Sequence, residues 1–151
     1  MAKTIIFKVS YLGHCGRSCR KKVVRRIEMK ETQSLDDLHE AIIYQSFKWD
    51  DPHLYSFFMD NEPYSRNKAM EYTCEEHINV DFNSPNSSNA KLKELNLSKN
   101  QKFLFMFDFG DGHNFEIQVE GFGESKKETK YPVILEEIGE APEQYPEIEG
   151  D

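Results

Sequence analysis

Between Lys102 and Gly123 apolar and polar positions alternate with a period of two, which predicts a long β-hairpin. Its first half places Phe103, Phe105, Phe107 and Phe109 on one face and Leu104 and Met106 on the other, so this strand is expected to be covered on both sides. In the second half Phe115, Ile117 and Val119 oppose Glu116, Gln118 and Glu120, the pattern of a strand with one face on the core and one in water. Gly110-Asp111-Gly112-His113 reads as the turn, with Asp108 closing the first strand.

Earlier in the chain, Thr4–Leu12 reads as a strand presenting Ile5, Phe7, Val9 and Tyr11 on one face, followed by a turn over 13–20. Lys22–Met29 reads as its partner, with Arg25 on the same face as Val23, Ile27 and Met29. A guanidinium among apolar neighbours needs a carboxylate or several carbonyls. Ser34 is the expected N-cap of a helix whose stripe is Leu35, Leu38, His39 and Ile42, ending near Phe47 before the turn Trp49-Asp50-Asp51-Pro52. His53–Met59 follows as a strand. Residues 64–80 suggest one or two short edge strands, 83–89 a flexible loop and 91–97 a single helical turn. The expected fold is α+β: a single domain over 1–138 with a ββαβ start, then the aromatic hairpin, giving a mixed sheet with one main helix on a face. An acidic, Pro-containing tail, 139–151, is expected to be irregular.

Composition agrees with one packed domain: 151 residues, 38% hydrophobic and 13% aromatic. No apolar run approaches bilayer length, no signal-peptide pattern opens the chain, and three cysteines do not make a disulfide framework; the expectation is a soluble cytoplasmic protein. Net charge is −8 and unevenly spread, with nine Lys or Arg against one acid in residues 1–30. Arg17, Arg20, Lys21 and Lys22 sit in the first turn and could contact phosphate, while nucleic-acid binding as a whole lacks a helix-turn-helix or stacking aromatics.

Several blocks carry a resemblance: Val24-Arg25-Arg26-Ile27, Leu35 with Leu38-His39-Glu40-Ala41-Ile42, Trp49-Asp50-Asp51-Pro52-His53-Leu54-Tyr55-Ser56-Phe57, and Phe107-Asp108-Phe109-Gly110-Asp111. In their order and spacing they resemble the plasmid ORF-three-like family, named after an open reading frame on an Ri plasmid. The resemblance implies a small single-domain α+β protein and brings no established activity. Resolvase labels and repressor-type segments attached to some members have no supporting motif here. The chain also departs from the family pattern, with His113 and Phe115 where the family places Trp and His, and with Ala141-Pro142-Glu143-Gln144-Tyr145 in place of a Cys-containing segment.

The family-matching polar residues admit two readings. In the structural one, Arg25 or Arg26 pairs with a carboxylate such as Asp108, His39 closes a helix–sheet contact, and Asp50 and Asp111 make side-chain turns. In the functional one, Arg25, Arg26, His39, Asp50, His53, Asp108 and Asp111 share a pocket able to bind a metal or act as acid and base, although their spacing matches no recognised ligand pattern. The turn chemistry of Asp favours the first. Cys15, Cys19, Cys74 and His77 form a loose zinc-type set, and no cofactor is otherwise expected. The leading expectation is a non-enzymatic binding or interaction module whose partner the sequence does not name, a protein being one candidate and a membrane being excluded; an enzyme with an Asp/His pocket and a nucleic-acid accessory protein using the basic turn are the alternatives.

Overall fold

The computed structural model describes residues 2–78 and 85–145. In chain order these residues form β1 (Lys3–His14), β2 (Arg17–Ser18), β3 (Val24–Lys30), α1 (Leu35–Glu40), β4 (Tyr55–Phe58), β5 (Glu71–Thr73), α2 (Glu75–Ile78), β6 (Asn86–Ser87), β7 (Lys102–Phe107), β8 (His113–Glu124) and β9 (Val133–Ile138). Among the described residues the strands make one nine-stranded sheet in the order β6-β5-β4-β7-β8-β1-β3-β9, with β2 paired to β1. All pairs are antiparallel except β5 with β6. The α+β architecture with a helix on one face is therefore as expected. Among the described residues no helix is long and apolar enough to cross a membrane.

Ser34 caps α1 as the sequence suggests, through a reciprocal box in which its Oγ accepts from Asp37 N and Asp37 Oδ2 accepts from Ser34 N. Beyond Glu40 the helix widens into a π-helical turn, Ala41–Ser46. That extra residue per turn swings Phe47 and Trp49 back beneath the sheet, where Trp49 N donates to Ile43 O and both rings are buried. The core lies between α1 and the inner face of the sheet, gathered around Phe7, Phe57, Phe103, Phe105, Phe107 and Phe115. A smaller cluster of Phe58, Leu104 and Met106 covers the opposite face of β7, so that strand is buried on both sides.

Three expectations change. Phe109 does not continue the inner aromatic face: β7 stops at Phe107, Asp108 takes a left-handed φ of 66°, and the chain reverses phase, so Phe109 packs with Phe58, Leu104 and Met106 on the other side. The turn is correspondingly 108–112, and His113 is the first, fully buried residue of β8. Residues 85–89 are not a free loop, because Asn86–Ser87 pair with β5 and Ser88 is buried; Asn83 and Ser84 lie outside the described residues, as do Asn79 and Val80 of the edge-strand region. The last strand, β9, is an addition. It pairs with β3 through a register shift between Arg26 and Ile27 that skips Leu135.

Candidate functional site

The turn after β7 is built by its own first side chain. Asp108 is buried, and its Oδ1 accepts from the backbone N–H of Gly110 (3.1 Å) and Asp111 (3.3 Å). These side-chain turns belong to Asp108, whereas Asp50 is exposed at the surface and Asp111 uses its own N–H and C=O instead. Asp108 Oδ2 lies 3.4 Å from His53 Nε2, and Asp51 Oδ2 lies at the same distance from that nitrogen. Arg25 is elsewhere. The expected Arg25–Asp108 contact is absent: the guanidinium is buried, donates to Val24 O (2.9 Å) and Ile138 O (3.1 Å), lies over the Phe47 ring, and reaches Glu137 only at 3.9 Å. Two carbonyls and a π-face meet this cation in place of a close carboxylate, while its Nε is buried without a hydrogen-bond partner among the described residues; burial lowers its pKa, with Glu137 partly opposing. Arg26 faces the other way onto Glu120 at 2.6 Å.

These contacts set the first expectation. Asp108→Asn keeps a side-chain carbonyl for both turn bonds and tolerates left-handed backbone, so the loss should stay within about 1 kcal/mol, whereas Asp108→Ala should cost about 2 kcal/mol. Urea denaturation measures both; an Asn variant as damaged as the Ala variant would restore a buried charge as the main role of Asp108.

A second set of groups, which sequence reading did not find, locks the C-terminal segment onto this turn. Trp49 Nε1 donates to Pro142 O (2.8 Å), Gln144 Nε2 donates to Asp51 O (2.8 Å), and Asp51 N donates to Gln144 Oε1 (3.2 Å). Tyr145 donates its hydroxyl to Asp51 Oδ2 and sits 2.6 Å from His53 Nε2. That bond pushes the Tyr145 phenol up to about 12 and draws the Asp51 carboxyl down. Residues 140–145 are thus irregular but bonded into the domain; residues 146–151 lie outside the described residues. His113 completes the group. Its Nε2 faces Gln144 O at 3.1 Å, an atom that can only accept, so Nε2 carries the proton and Nδ1 accepts from Tyr11 OH at 2.8 Å. Burial first, then His14, holds the His113 pKa below its ordinary value.

On the other side of His53 opens a cleft of about 560 Å³ between α1 and the start of β4, lined by Asp36, His39, Glu40, Tyr44, Tyr55 and Glu76 among others. Asp36 Oδ1 accepts from the Tyr55 hydroxyl and from His39 Nδ1 at 3.2 Å. The His39 ring stacks on Tyr55 with centroids 3.9 Å apart and closes the helix–sheet contact, while its Nε2 is buried without a partner among the described residues. The His39 bond, ahead of the Tyr55 one, holds the Asp36 carboxyl below the usual range; burial, reinforced by Asp36, raises Glu40. Burial, then Glu40 and Asp36, raises the Tyr44 phenol.

The structure therefore splits the residues expected to share one pocket. His39 and His53 line one cleft, Asp108 supports His53 from behind, Asp111 belongs to the adjoining turn, and Arg25 and Arg26 stand on β3. The loose zinc set is not assembled: among the described residues no group of three or more His, Cys, Asp or Glu is placed to hold a metal, Cys15 lying in the β1–β2 turn and Cys74 in the cleft wall. Arg17, Arg20, Lys21 and Lys22 are exposed, with no ion-pair partner among the described residues. A signal for His113 did exist, since it falls in phase with Phe115, Ile117 and Val119; nothing in the sequence pairs Gln144 or Tyr145 with the Asp51 turn.

A model of the plasmid pRiA4b ORF-3-like protein family matches residues 17–149. The chain belongs to this family. The match runs from the basic turn through the segment seated on Asp51, so the ORF-3-like unit includes both. The fold is similar to the crystal structure of a protein of unknown function from Methanosarcina mazei Go1, with a TM-score of 0.72 and 24% identity over 95% of this chain and 74% of that one. No curated protein matches the sequence. The ORF-3-like relationship thus establishes family and fold and attaches no activity.

Proposed function

We propose that this protein is a non-enzymatic binding module of the cytoplasm, whose working surface is the cleft beside α1 and whose partner presents a basic side chain. The observation that carries the reading is the cleft's lining: the carboxylates of Asp36, Glu40 and Glu76 stand among the rings of Tyr44, Tyr55 and His39, and among the described residues no Lys or Arg lines it. Carboxylates against low-dielectric walls focus negative potential, and ring faces attract ammonium and guanidinium groups. Burial first, with the neighbouring carboxylates adding to it, raises Glu40 and Tyr44. Catalysis is less well supported, because Asp36, His39, Tyr55 and Ser88 bond to one another and burial pushes up the pKa of Cys74, the free thiol in the same wall. Free thiols at Cys15, Cys19 and Cys74 suit a reducing compartment.

Hexalysine and hexaglutamate peptides, titrated calorimetrically at low salt, test this reading. Hexalysine should bind and hexaglutamate should not. Reversing Glu40 and Glu76 together to Lys, both exposed, should weaken hexalysine at least tenfold, about 1.4 kcal/mol, while reversing the remote exposed Glu128 should change little. Equal loss in both variants would reduce the effect to net charge and remove the cleft from the account.

A further inference from the structure

A second cleft, of about 300 Å³, opens on the sheet face opposite α1, between the β1–β2 turn and the loop after β4. It owes its wall to Gly13, whose φ of 137° and close approach to Arg17 O would put a Cβ 1.8 Å from that oxygen; no other residue lets β2 fold back here. Leu12, Pro63 and Leu104 give the cleft an apolar lining, and Arg17 and Glu116 bring opposite charges to it.

Strand register separates those charges. Arg17 pairs with His14 at the turn end, Asn114 pairs with Gly13, and Glu116 pairs with Ser10, so the cation and the carboxylate project from rows about 13 Å apart at 3.3 Å per residue. Both residues line the cleft. Between them Asn114 lines the cleft, its Oδ1 buried with no hydrogen-bond partner among the described residues, and His14 borders it with its ring against that of His113. Native proteins seldom leave such an atom unpaired, and a ligand group that reaches Asn114 Oδ1 removes a real penalty. Glu116 accepts from Asn61 Nδ2 at 3.4 Å and lies 3.6 Å from Lys102 Nζ, which leaves a carboxylate with lone pairs to spare; Arg17 has no ion-pair partner among the described residues.

We propose that this cleft binds a small zwitterion, an amino acid or dipeptide, with its carboxylate on Arg17, its ammonium on Glu116 and the Asn114 side-chain carbonyl, and its apolar portion on Leu12 and Leu104. The volume is at the low end for ligand sites, which suits that size. Both charges are needed at once, and this separates the proposal from the cation-binding reading of the α1 cleft, on which it does not depend.

The full chain, isotope-labelled and followed by NMR at the His14 ring and the Asn114 side-chain amide, can be titrated with L-leucine and Gly-Leu into the millimolar range. The controls are 3-methylbutylamine, which is leucine without its carboxylate, and 4-methylpentanoate, which lacks the ammonium. Saturable shifts with leucine or Gly-Leu, each at least tenfold tighter than both controls, support the proposal, and the tighter of the two names the source. Arg17→Ala, at an exposed position, should remove the advantage of the zwitterion over the amine, and Glu116→Gln its advantage over the acid. No shift with either zwitterion, a control binding as well as leucine, or zwitterion affinity unchanged by Arg17→Ala in a protein of wild-type melting temperature would overturn it.

Discussion

Replacing Trp49 with alanine is expected to lower the melting temperature by about 6–20 °C, the consequence of losing about 3–5 kcal/mol in a protein of this size. Trp49 is buried at the end of the π-helical turn, against Tyr11, Phe47, Phe107, His113 and Phe115. It also holds the only side-chain bond from this core to Pro142 among the described residues. The two roles separate. Trp49→Phe refills most of the space but cannot donate to Pro142 O, so it should cost about 1 kcal/mol globally while freeing the C-terminal segment. Hydrogen exchange at Asp51 N, which donates to Gln144 Oε1, reports that release directly. Faster exchange at Asp51 in Trp49→Phe with little change in melting temperature would mark Trp49 as the anchor of residues 142–145. A Trp49→Ala melting temperature within about 2 °C of wild type would remove it from the core altogether.

That anchor also shows where sequence reading stops. Period-two patterns placed β1, β3 and β8 and put Arg25 on the inner face, because alternation reports a sheet with one wet side. The helix start was legible in Ser34 and its acids, and the mark left by His39 was its place in the apolar stripe. Arg25's partners were not legible, since carbonyls and a ring supplied by tertiary contact have no signature of their own. Phe109 was misplaced for a local reason: one left-handed residue, Asp108, ends the alternation and turns the next side chain to the opposite face. β9 was missed because Val-Ile-Leu-Glu-Glu-Ile lacks alternation; it is an edge strand with no buried residue, paired across a bulge. The candidate site suffered most. Asp36, Tyr55 and Glu76 come from separate elements, and only the fold brings their groups into one cleft.

The acid limb of stability should belong in part to His113. A histidine whose folded pKa lies below its unfolded value of about 6.5 is neutral in the native state and takes up a proton on unfolding, so its contribution is complete above about pH 6.5 and is lost as the pH falls toward the folded value. The slope in that window reaches about 1.4 kcal/mol per pH unit for one proton. The groups around the ring fix this sense: Tyr11 OH and Gln144 O hold the neutral tautomer, Trp49 packs on it, His14 lies beside it, and Asp111 at 4.0 Å opposes only partly. His113→Leu leaves the Tyr11 hydroxyl and the Gln144 carbonyl without that partner, a loss of about 2–4 kcal/mol near pH 7.5. Because leucine does not titrate, the gap between wild type and variant should narrow as the pH falls from about 7 to about 5. Asp36, whose carboxyl is held below its usual range, acts in a separate window, its contribution being lost below about pH 4. Urea melts of both proteins across these pH values measure the difference. Parallel stability curves would mean that His113 keeps its ordinary pKa in the fold, and a gap that widens on acidification would mean that Asp111, rather than burial, governs the ring.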